Sequence, residues 1–112
     1  LLAVGTHSGA VRELTRRLEI IRRTLGSSHP RVAEAMHHLS SILQAGGDQA
    51  AALRQAEAAL EIARRAERPA DSQLAGLLHT VALLRSSAGQ RAEARKLLSE
   101  ALRLDDEAGI TC

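Results

Sequence analysis

Apolar residues return every three or four positions along the chain, in five stretches separated by short polar or glycine-containing breaks. That spacing is the period of a helix with one buried stripe, and no stretch alternates as a strand does. The first stretch, about Ser8 to Leu25, carries Val11, Leu14, Leu18 and Ile21. The second, about Pro30 to Ala45, carries Val32, Met36, Leu39 and Leu43, flanked by Ala35 and Ile42. The third, about Gln49 to Ala66, is built mostly of alanine: Ala52, Ala56, Ala59, Leu60 and Ala63. The fourth has Leu74, Leu77, Leu78, Val81 and Leu84, and the fifth has Ala94, Leu97, Leu98, Ala101 and Leu102. The pattern predicts five main helices, with turns near residues 5–7, 26–29, 46–48, 67–71 and 88–90, and no strand.

The breaks carry helix-ending and helix-starting chemistry. Gly26 ends one helix, His29 or Ser28 caps the next, and Pro30 takes the first helical position. There its missing N–H costs nothing and its fixed φ suits the helix. In Gly46–Gly47–Asp48 a glycine supplies a left-handed C-cap and Asp48 an N-cap. Ser87 to Gln90 forms the corresponding turn later on, while Asp71 stands as N-cap with Pro69 moved out into the loop before it.

These breaks recur at a fixed distance. Shifted by 42, Leu18-Glu19-Ile20 falls on Leu60-Glu61-Ile62, His37 on His79, Gly47 on Gly89, and Ala52 and Ala59 on Ala94 and Ala101. Residues 18–70 give 13 identities in 53 positions without a gap, against about 5 by chance, which is the mark of an internal repeat. Each unit is a helix A, a turn and a helix B. The division is 1–29 as a partial repeat, 30–70 and 71–112 as full ones, within a single domain. Leu1 to Val4 would be the last turn of an otherwise missing helix A. Alanines 52, 59, 94 and 101 would let neighbouring helices approach to the short end of the usual spacing.

The segment Glu19 to Leu60 resembles the tetratricopeptide repeat superfamily, in the 42-residue form of kinesin light chains and nephrocystin-like repeats. The residues that carry the resemblance are Leu25-Gly26, His29-Pro30, Val32-Ala33, Leu39, Gly47, Ala52, Ala59 and Leu60. The next unit follows through Leu74-Ala75, Gly89, Ala92, Glu93, Ala94, Ala101 and Leu102. The resemblance implies an all-α, right-handed solenoid of about two and a half helix-turn-helix repeats, whose concave face holds a protein segment. Residues on helix A opposite its buried stripe would line that groove: Glu34, His37, His38, Ser41 and Gln44, then His79, Thr80, Leu83 and Ser86. His37 and His79 would stand in equivalent, adjacent places, about 10 Å apart by ordinary helix spacing. An acidic segment would then bind more tightly as the pH falls through about 6.5.

There are departures from the family pattern. Its usual aromatics are replaced by Leu43, Gln49 and Ala56, and by Arg85, Arg91 and Leu98. His38 and Thr80 stand where some members carry peptide-clamping asparagines, so that clamp is not carried over. Arg17 occupies the place of Ala59 and Ala101, which sets the first helix at an edge or gives it different packing.

Composition narrows the function. The chain has 112 residues, 45% of them apolar, and no Phe, Tyr or Trp. With net charge +2 and no aromatic to stack a base, nucleic acid is not an expected partner. The arginines of the B helices read as a solvated face laced by Glu13–Arg17, Glu19–Arg23 and Glu61–Arg65 pairs. The lone Cys112 excludes an internal disulfide, which fits a reducing, cytoplasmic setting. No apolar run is long enough to span a membrane. The opening Leu1 to Gly5 lacks an initiator Met, as expected of a piece of a longer protein. No metal is expected, because adjacent His37 and His38 point apart on a helix. No cofactor and no enzyme activity are expected either, because there is no phosphate loop, nucleophile elbow or buried carboxylate pair. The expected function is a non-catalytic protein-interaction module in a longer regulatory or signalling protein. The rival is a structural element that forms a homo-oligomer through exposed solenoid ends.

Overall fold

The computed structural model describes residues 2–65 and 71–107, with side chains placed over 9–65 and 73–104. Five helices follow one another: α1 Leu2–Leu25, α2 Pro30–Ala45, α3 Gln49–Arg65, α4 Asp71–Ser87 and α5 Arg91–Glu107. Among the described residues there is no strand. The predicted turns at 26–29, 46–48 and 88–90 are present. Residues 66–70, where most of the turn at 67–71 was expected, lie outside the described residues.

The expected turn at residues 5–7 does not form, and Leu2 to Val4 belong to α1. Under the 42-residue shift Gly5 falls on Gly47, but glycine accepts the right-handed helical region as readily as the left-handed one. No proline stands anywhere before Pro30. The helical ladder therefore runs through Gly5 and Gly9.

Turn chemistry sets the other helix ends. Gly26, Gly47 and Gly89 hold φ values of +93°, +90° and +85°, the left-handed region open to glycine. At the second turn Asp48 N–H donates to Leu43 O at 2.9 Å and Gly47 N–H to Gln44 O at 3.0 Å. At the fourth, Gln90 N–H donates to Arg85 O at 2.8 Å and Gly89 N–H to Ser86 O at 3.0 Å. These are the paired bonds of a Schellman cap, repeated 42 residues apart. His29 caps α2, its Nδ1 accepting from Arg31 N–H at 3.1 Å, and Asp48 Oδ1 accepts from Ala51 N–H at 3.2 Å.

Each helix packs on the next in sequence. Between alternate helices, α2 touches α4 through side chains, and α3 touches α5 through Arg64 and Glu100 at 2.9 Å. The result is two layers, α2 and α4 in one and α1, α3 and α5 in the other. The radius of gyration is 14.7 Å, above the roughly 13 Å of a globular chain of this length, as a stack of hairpins should be.

The core is centred on α2, α3 and α4. Leu77, Leu78, Leu84, Val32 and Val81 are its largest fully buried side chains. The alanine stripe of α3 is wholly buried. The Ser40 hydroxyl donates to Ala52 O at 2.8 Å; a side-chain bond to the main chain of the facing helix needs the close approach that alanine permits. Two residues of the predicted α5 stripe are exposed. Leu102 is 65% exposed and Leu98 36%, whereas their repeat equivalents Leu60 and Ala56 are 7% and 0% exposed. The difference is a neighbour: α3 lies between α2 and α4, while α5 packs chiefly on α4 and reaches α3 through the Arg64–Glu100 pair.

Candidate partner-binding surface

The nine residues expected to line one groove divide into three groups. The first joins the two A helices. His37 Nε2 lies 2.8 Å from Thr80 Oγ1, and the His37 ring sits 3.7 Å from where a Cβ on Gly76 would be. His37 is half-buried. Desolvation by that burial holds its pKa below the ordinary histidine value, and the neighbouring His38 lowers it further. Alongside, Gln73 Nε2 donates to Pro30 O at 3.0 Å. Both links join residues 43 apart, one more than the repeat, so His37 meets Thr80 and not its equivalent His79. Thr80 and His37 therefore serve the stacking of α2 on α4, a role the repeat alignment alone did not reveal.

The second group is turned towards α1. Glu34 and His38 line a hollow of about 550 Å³ together with Leu14, Arg17, Ile20, Ile21, Arg31 and Ala35. A smaller hollow of about 200 Å³ continues it past Ala10, Glu13 and Ile42. Its α1 residues were not expected in a site. The signal for them was Arg17, a long cation at a position that is alanine in both later units.

The third group faces outward. His79, Leu83, Ser86 and Ser41 are exposed, and Gln44 is half-buried. His79, Leu83 and Ser86 fall at i, i+4 and i+7 on α4, along one stripe. Leu83 is 55% exposed, while the other leucines of α4 are at most 8% exposed.

The arginines do more than coat a surface. Arg85 pairs with Glu57 of α3 and donates to Gln90 Oε1 at 2.7 Å. At a place where a family aromatic was expected, it ties α3, α4 and the following turn together. Arg64 bridges α3 to α5, which corrects the reading of that face as merely solvated. The Glu19–Arg23 and Glu61–Arg65 pairs form, at 3.8 and 2.9 Å. Glu19 also reaches Arg22 at 3.5 Å, but no ion pair joins Glu13 to Arg17. Among the described residues no cluster of three or more His, Cys, Asp or Glu could hold a metal, and no helix is long and apolar enough to cross a membrane.

Stacked helical hairpins, glycine-closed turns and a 42-residue offset define a helical-repeat protein. The tetratricopeptide repeat family matches residues 1–65, more than half of the chain, and the chain belongs to that family. Repeats of this family generally mediate protein–protein interaction. No curated protein matches the chain.

Proposed function

We propose that the chain is a non-catalytic interaction module that holds a protein or peptide segment against the outward faces of α2 and α4. The observation that carries this reading is Leu83, an exposed leucine flanked along its helix by His79 and Ser86. An apolar anchor among hydrogen-bonding groups suits an extended or helical segment. Ser41 and Gln44 of α2 would extend the same face, and Glu34 and His38 would form its α1 side. His37 and Thr80 would shape the groove from beneath. The module would be one domain, with repeats at 30–70 and 71–112 after a partial one. It would work in the cytoplasm as part of a longer regulatory or signalling protein, with no cofactor and no metal.

A photo-cross-linking residue placed at Leu83, and another at Lys96 on exposed α5, tests this in cells that make the protein. Adducts to a second protein from position 83 and few from position 96 support the module. Equal adducts from both positions would contradict it.

Exposed Leu98 and Leu102 favour a second reading, self-association through α5. Sedimentation at several concentrations separates the two, and a dimer lost on Leu102→Glu would favour this rival.

A further inference from the structure

Each of α1, α3 and α5 carries a cation at the same place. Steps of 42 lead from Arg12 of α1 to Arg54 of α3 and on to Lys96 of α5. All three are exposed. Each stands two positions from a buried residue of its own helix: Leu14, Ala52 and Ala94. Two positions are about 200° round a helix, so these cations point away from the core. Because α1, α3 and α5 share a layer, the cations form a row across the side of the molecule opposite α2 and α4. Exposed Arg16 on α1, and Arg91 and Arg95 on α5, add to it.

The acids at this level are engaged elsewhere. Glu57 pairs with Arg85 of α4. Glu13 lines the small hollow shared with His38 and Ile42 of α2. Glu93 lines a hollow with Val81 and Arg85 of α4, and reaches Lys96 only at 3.9 Å. Among the described residues no acid comes within ion-pair distance of Arg12, Arg16 or Arg54. Arg12 and Arg16 are like charges at i and i+4, a pairing that by itself disfavours the helix. The other ends of α1 and α3 differ: Arg22 and Arg23 meet Glu19, Arg65 meets Glu61 and Arg64 meets Glu100. Unneutralised charge thus runs along one edge of a face whose other edge is paired on α1 and α3.

The spacing of the row specifies a ligand. Neighbouring helices stand about 10 Å apart, and so do successive cations. A β-strand turns alternate residues to opposite sides, so its every-third residues do not share a face. A polyproline II segment has three residues per turn, which puts every third side chain on one side about 9 Å apart. With no aromatic residue to stack a base, a nucleic acid suits the row less well.

We propose that the row Arg12, Arg54 and Lys96 docks an acidic segment of a partner protein in polyproline II conformation, with a carboxylate at every third residue. This surface goes beyond the groove on α2 and α4 and does not depend on it. Replacing Lys96 by a cross-linking residue removes one rung, so few adducts at that position are compatible with an occupied row.

The test uses the full 112-residue chain at low salt and two labelled peptides of one composition. In Glu-Pro-Pro-Glu-Pro-Pro-Glu the acids are spaced; in Pro-Pro-Glu-Glu-Glu-Pro-Pro they are clustered. The spaced peptide should bind saturably and about fivefold more tightly than the clustered one, and both should weaken as salt rises. Arg54→Glu, at the central rung, should abolish the preference. Arg65→Glu, the same charge change at a paired arginine of the same helix, should leave it intact. Equal affinities, no saturation, or equal effects of the two substitutions would overturn the row. So would tighter binding of a single-stranded oligonucleotide of equal charge, because the occupant would then be nucleic acid. Leu83→Glu should leave the peptide preference unchanged; if it removed the preference, the peptide would lie in the groove and the row would fall. Loss of Leu83 adducts with the preference intact would instead remove only the groove.

Discussion

His37 of α2 and Thr80 of α4 meet at 2.8 Å, 43 residues apart in the chain. This bond fixes how one repeat slides on the next, because the other polar link among the described residues of the two helices, Gln73 to Pro30, has the same offset. Thr80→Val should cost about 1 kcal/mol, the usual net contribution of one hydrogen bond. A lower urea midpoint with an unchanged slope would register it. His79→Ala, at the equivalent but exposed position, should stay within about 0.5 kcal/mol of the parent.

The same histidine gives the fold a pH dependence. Burial, and then His38, place the folded-state pKa of His37 below its ordinary value, so the fold favours the neutral ring. Its contribution is full above about 6.5, where the unfolded chain is also neutral, and is lost as the pH falls through the lowered folded value. Urea midpoints between pH 7.5 and 5 should fall less for His37→Gln than for the parent. Equal pH dependence in the two would show that His37 is not the group responsible.

Ala59→Leu and Ala101→Leu should each destabilise the chain by about 1–3 kcal/mol through overpacking. The side chains at these positions are 0% and 5% exposed. The cost should be larger at Ala59, which lies between two packed neighbours, than at Ala101 near the open side of α5. Thermal midpoints rank the two, and neutral effects at both would mean that the packing faces are misassigned.

Arg85 and Glu57 are each partly exposed, which limits the worth of their pairing. A double-mutant cycle of Arg85→Gln and Glu57→Gln should give a coupling of about 1 kcal/mol or less, shrinking in high salt. Arg85→Gln should still cost more than Glu57→Gln, since it also removes the bond to Gln90.

Helix positions were legible because two local signals agree: a period near 3.6, and glycine or capping residues at each break. These signals permit a break without requiring one: Gly5 had the repeat's support and Thr6 stands at the place of Asp48, yet the helix passed through both. Burial of Leu98 and Leu102 was inferred from the stripe alone, yet burial depends on a neighbour that the sequence does not place. Helix A faces were identified, but the one-residue stagger between α2 and α4 was not. That stagger arises from side-chain packing between layers, which is why His37 found Thr80. The hollow beside Arg17 was visible only as an arginine in an alanine column.

The claim that the outward faces of α2 and α4 hold a partner is tested most directly by an amide chemical-shift map. The labelled chain would be titrated with the segment recovered through the Leu83 cross-link. The account predicts perturbations concentrated at Ser41, His79, Leu83 and Ser86, with the exposed Arg65 and Lys96 amides still. Perturbations confined to α3 and α5, with Leu83 silent, would contradict it.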